Sequence, residues 1–271
     1  MTETAEANLK HFFRAFRNVS SFFYFKSRKA RRTQLLFLLS FLPVLMALII
    51  KFYQLIHTGQ AMLPGSYLFK NLIMTLYLQF LIIILSLFYG TSICSEELEN
   101  KTLPFLLTRP VPKTSVILGK YAAYTAQQII IVGLGVTFSF VILNMNRLSE
   151  WGEYLILMRD LGVLFLGIGA YTALFTFIGA FIKKSILFGL IFGFGWESVI
   201  QYFPGSTQKF AIAHYLKSLL PGASSEGFSF LLIRLEPTPP IKSIIILILI
   251  IAFFLIAACL VFNFKEYILE D

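Results

Sequence analysis

Apolar residues fall in long, nearly unbroken runs, and charge and proline collect in the stretches between them. An α-helix rises about 1.5 Å per residue, so about 20 mostly apolar residues cross the ~30 Å hydrocarbon layer of a bilayer. Six runs reach roughly that size: Gln34 to Tyr53, Phe69 to Ser92, Tyr121 to Asn144, Leu161 to Ile182, Ile186 to Phe203 and Ser243 to Phe262. The fifth is the shortest. None of the runs alternates apolar and polar residues with a period of two, as a barrel strand would. The pattern predicts an all-α, polytopic membrane protein with six transmembrane helices.

A different periodicity precedes the first run. Leu9, Phe12, Phe16, Val19 and Phe23 recur at helical spacing, with Lys10, Arg14 and Arg17 between them. This predicts an amphipathic interfacial helix whose aromatic face meets the acyl boundary. Its cations, joined by Lys26, Arg28, Lys29, Arg31 and Arg32, would meet anionic headgroups of membrane lipids. The basic leader is too long, and the run after it too apolar and extended, for a cleavable signal peptide, so the first span is expected to stay.

Composition agrees with a lipid environment. Of 271 residues 57% are hydrophobic and 14% charged, whereas soluble domains average about 45–50% and 25%. The net charge of +9 does not point to nucleic acid once its distribution is considered. Eight of the 23 Lys and Arg precede the first run, and fifteen lie on the side of the membrane that holds the leader. The opposite side has eight, half of them diluted in the long connection before the last run. The positive-inside bias predicts cytoplasmic termini and a multi-pass protein of the inner (cytoplasmic) membrane. Residues 1–32 form the leader and 33–271 the membrane domain, with a cytoplasmic segment at 93–120 and an extracytoplasmic connection at 204–242. Within that connection, 211–220 reads as a short helix.

The 93–120 segment has the most specific content. Ser95 is predicted to cap a short helix, with Glu96, Glu97 and Glu99 in its first turn, where the helix dipole favours carboxylates. Leu103 and Phe105 then supply an apolar patch, and prolines end it. Such a helix suits docking into a partner's groove. The string EELENKTLPFLLTRPVPKTSVILGKY resembles the segment after the second span in ABC-2 type exporter permeases. The shared elements are the acidic start, Lys101–Thr102, Arg109–Pro110 and Gly119–Lys120.

That resemblance implies a coupling helix built from Glu96, Glu97, Glu99, Lys101, Thr102, Leu103, Phe105 and Arg109. It further implies two cytoplasmic ABC ATPase subunits as partners, and a second permease copy or a paralogue to complete the conduit. ATP and Mg would sit on those ATPases, with no cofactor on this chain. The sequence has no G-x-x-x-x-G-K-[ST] loop to cradle nucleotide phosphates, no H-E-x-x-H and no G-x-S-x-G. The chain is therefore read as no enzyme.

Polar groups at membrane depth are the remaining candidates. Glu197 is the only Asp or Glu within the six runs as bounded above. It can line a substrate path, form an ion pair or sit near the outer interface. Gln79, Gln127 and Gln128 can bond neighbouring helices or face a conduit. Gly189 and Gly193 have the spacing for close helix packing, within the chain or across a dimer. Two other functions stay open on this evidence: an intramembrane enzyme using Glu197, and a membrane scaffold or assembly factor that moves nothing itself.

Overall fold

The computed structural model describes residues 2–57, 64–99, 112–145, 151–182, 184–200, 206–220 and 238–264, and among them all regular structure is helical. Helix α1, Thr2–Lys29, carries the basic leader and ends at Ala30, where extended backbone turns the chain into the first span. That span, α2, covers Arg31–Ile56. Helix α3 starts at Gly65, passes through wide π turns at Phe69–Ile73 and Tyr77–Leu81, and ends at Glu99. Helices α4, Lys113–Leu143, and α5, Trp151–Phe181, follow as long rods. An interrupted helix, α6, runs over 185–200 with its own π turn at Ile191–Trp196. The short α7, Ile212–Leu219, and the final α8, Pro240–Phe264, complete the fold.

Five of these, α2, α3 (to Cys94), α4, α5 and α8, are long and apolar enough to cross a membrane. The stretch read as a fifth span is the shorter α6, whose 16 residues reach only about 24 Å at the usual helical rise. Helix α5 is the most enclosed of the long helices, whereas α8 has the highest hydropathy and buries almost nothing. In water that arrangement would be untenable; in lipid an apolar exterior is what the solvent requires.

Three local departures follow from chemistry. Pro43 follows a break at Phe41 in α2, and Val44 bonds the Phe41 carbonyl at 3.0 Å in place of that of Ser40. The Tyr77 hydroxyl of α3 donates to the Ser40 carbonyl at 2.9 Å instead. Helix α5 begins ten residues before the apolar run at Leu161, and so takes in Arg159 and Asp160. Ser95 is not an N-cap: the backbone is already helical from Ile82 and stays so through Glu99, so the acidic cluster continues α3. The three acids therefore do not occupy the first turn of a separate helix, the setting expected from sequence.

The leader packs on α4. A Cβ added at Gly119 would lie 2.8 Å from a Val19 methyl and 3.3 Å from the Phe16 carbonyl, and Phe23 is buried. Val19 and Phe23 of the predicted stripe thus face this chain's own helix, with the backbone of Phe16 close by, while Phe13, Phe22 and Phe25 remain exposed.

Candidate functional site

Three polar stations lie at successive levels of the bundle. The first stands where α3 leaves the apolar interior. Lys120 of α4, almost wholly buried, donates from Nζ to the Ile93 carbonyl at 3.1 Å, and its ammonium lies 4.6 Å from the Phe23 ring centre. Arg32, just past the elbow at Ala30, donates to Ser92 Oγ, which in turn donates to the Phe88 carbonyl. The Arg32 guanidinium also lies 5.7 Å from the Tyr89 ring and 5.9 Å from that of Tyr124. Two cations from separate helices therefore grip consecutive residues of α3, three to seven positions before Glu96, Glu97 and Glu99. Hydrogen bonding and the aromatic faces together offset the cost of burying them.

At mid-depth Gln128 joins three helices. Its Oε1 accepts from Ser86 of α3 at 3.1 Å, and its Nε2 donates to Thr172 of α5 at 3.1 Å. The Thr172 hydroxyl lies 3.2 Å from Ser86 Oγ, which closes the ring. Gln128 Nε2 also reaches the Tyr124 carbonyl of its own helix at 3.3 Å, so the buried amide is satisfied within and across helices.

The third station is Glu197, at the last turn of α6. Its Oε1 accepts from the Ile212 N–H at 2.9 Å, and its Oε2 from the Ala213 N–H at 3.3 Å and the Tyr171 hydroxyl at 3.1 Å. The carboxylate thus serves as the cap that Ala211 cannot be, and ties α7 to α6 and α5. Lys217, one turn along α7, is buried, and this pushes its ammonium down to about 8 although the Glu197 charge opposes the shift. His214 Nε2 meets Thr238 Oγ1 at 2.9 Å, and the Thr238 N–H donates to Ser218, which links α7 to the start of α8.

The other sequence candidates scatter. Gly189 and Gly193 face Leu87, Ile83 and Phe175 of the same chain. Gln79 is half-buried in the second π turn of α3. Gln127 points away from Gln128's ring and lines a cavity beside the elbow. The backbone at Glu96, Glu97 and Glu99 is helical, but their side chains, and all of Lys101, Thr102, Leu103, Phe105 and Arg109, lie outside the described residues.

Sequence reasoning missed several members. Asp160 is buried in α5 with Arg159 Nε 3.7 Å away, so Glu197 is one of two buried acids among the described residues. Lys120, Arg32, Ser86 and Thr172 were not expected as interior contacts. Lys120 alone had a usable signal, since it is a cation seven residues inside a helix whose neighbours are apolar.

Taken together, the apolar exposed helices and interhelical polar stations define a multi-pass membrane protein whose interior polar groups tie its helices together. The family model described as ABC-2 family transporter protein matches residues 26–196, and the chain belongs to that family. It is accordingly a membrane component of a transport system. A search of curated proteins finds no match to this chain.

Proposed function

We propose that this chain is the permease subunit of an ATP-binding cassette exporter, forming half of the substrate conduit and driven by separate cytoplasmic ATPases. The observation that carries the reading is the family match, which runs from the elbow through α6. In this reading both termini and the 93–120 segment are cytoplasmic, α6 completes six membrane passes, and two permease copies face each other. The exposed Phe13, Phe22 and Phe25 of α1 would rest at the acyl boundary.

The acidic cluster is read as the docking point. Glu96, Glu97 and Glu99 lie close together on one helix, where like charges repel, so a basic partner surface would relieve that repulsion. Lys120 and Arg32 hold the helix immediately before them, which gives displacement at the cluster a route into α4, α2 and the leader. An intramembrane enzyme gains no support from Glu197, because its two oxygens are engaged by backbone N–H groups and Tyr171.

The test is purification of the complex from native membranes in mild detergent. Wild-type chain should bring down a P-loop ATPase in fixed proportion, and the triple change Glu96→Lys, Glu97→Lys, Glu99→Lys should reduce its recovery at least tenfold. An intact complex without an ATPase would overturn the reading, and unchanged recovery with the triple variant would overturn the docking role.

A further inference from the structure

Where the leader bends into the first span, the wall of α4 and the start of α2 enclose an open cavity of about 330 Å³. At its mouth Arg28, exposed to solvent, lies with its guanidinium 6.0 Å from the Tyr24 ring. Deeper in, Gln127 is 93% buried, and its Oε1 has no hydrogen-bond partner. Beyond it Phe37, Ile130 and Leu134 form an apolar wall that opens sideways to the bilayer. From Gln127 to Leu134 that wall extends about 10 Å along the helix.

We infer that this cavity binds one anionic glycerophospholipid from the leaflet bordering the leader. The order of chemistry along it matches the order along such a lipid. Arg28 is placed for the phosphate, the guanidinium being a planar fork suited to that group. Gln127 lies one step deeper, where the ester carbonyls fall. Its amide NH2 is the group that can donate to an ester there. The acyl chains continue over Phe37, Ile130 and Leu134 into the bilayer. A free phosphate would leave both Gln127 and the apolar wall unused.

The experiment uses the intact chain in its membrane complex, exchanged into nanodiscs of phosphatidylcholine with phosphatidylglycerol. Retained lipid is counted by native mass spectrometry after mild delipidation. Wild type should keep one phosphatidylglycerol per chain in preference to phosphatidylcholine by severalfold: both phosphates can bond Arg28, but the choline cation repels the guanidinium and the glycerol headgroup does not. Arg28→Gln should bring that preference close to parity, whereas Arg31→Gln, an exposed cation outside the cavity lining, should leave it intact. Leu134→Trp should block retention of both lipids. Equal retention of the two lipids by wild type, or equal losses in Arg28→Gln and Arg31→Gln, would overturn the inference. A photoreactive phosphatidylglycerol gives an independent reading on unaltered protein: crosslinks should concentrate at 127–134, and crosslinks spread evenly over the lipid-facing helices would reject the site.

Discussion

Glu197 serves three donors at once, and a neutral amide in its place has one oxygen to offer them. Hydrogen bonds to a charged acceptor contribute about 1.5–3 kcal/mol each, against about 0.5–1.5 for neutral ones. Glu197→Gln should therefore weaken the attachment of α7 by about 1–2 kcal/mol, a factor of 5–30 in its opening equilibrium. Hydrogen exchange resolves this locally: the Ile212 and Ala213 amides should exchange faster by that factor, while amides in α4 stay unchanged. Uniform acceleration across the chain would mean that the carboxylate supports the whole bundle and not one clamp. Glu197 stood out in the sequence because a charge inside an apolar run is rare. Its role did not, because two of its three donors are backbone groups 15 and 16 residues away, which carry no side-chain signature, and the third, Tyr171, lies on another helix. Asp160 was hidden for a different reason. The adjacent Arg159 and Asp160 lower local hydropathy, so the apolar run begins at Leu161, although the helical hydrogen bonds begin at Trp151.

Helices α3 and α5 make the most extensive contact in the molecule, and glycines set their approach. A Cβ at Gly90 would fall 2.7 Å from that of Phe175 and 2.9 Å from the Thr172 carbonyl oxygen. One at Gly179 would fall 2.8 Å from the Thr91 carbonyl oxygen. Backbone cannot yield as a flexible side chain does, so overpacking by about 1–3 kcal/mol should outweigh the gain of about 1 kcal/mol that alanine brings to a helix. Gly90→Ala and Gly179→Ala should each lower the thermal unfolding midpoint in detergent. Gly162→Ala, at a position of the same helix α5 with open space around it, should leave the midpoint unchanged or raise it. A rise in all three would show that the two helices can separate freely. The glycine pair legible in the sequence, Gly189 and Gly193, is visible because both lie on one segment. Gly90 and Gly179 become a pair only through the register of two helices 89 positions apart, which hydropathy does not encode. The same limit explains the misplaced cap at Ser95: hydropathy falls where the apolar environment ends, whereas the backbone ladder of α3 continues through Glu99.

At the scale of the whole molecule, the question is how motion at the acidic end of α3 would reach the membrane helices. Lys120 makes the tightest link, since one ammonium touches the Ile93 carbonyl, the Phe23 ring of the leader and, through its own backbone, α4. If this link transmits displacement, removing it should separate assembly from work. Lys120→Met keeps the aliphatic bulk beside Phe23 and removes the donor, so the bundle should still fold and, on the proposed function, still recruit its ATPase. ATP hydrolysis by the reconstituted complex should persist, while the number of substrate molecules moved per ATP falls by about tenfold, the equivalent of one charge-assisted hydrogen bond. Lys120→Arg, which restores a donor of similar reach, should recover part of the coupling. Parallel loss of ATPase binding and transport in Lys120→Met would instead make the residue a support for the docking surface. Unaltered coupling would move the route to Arg32 and Ser92, the other grip on the same turn of α3.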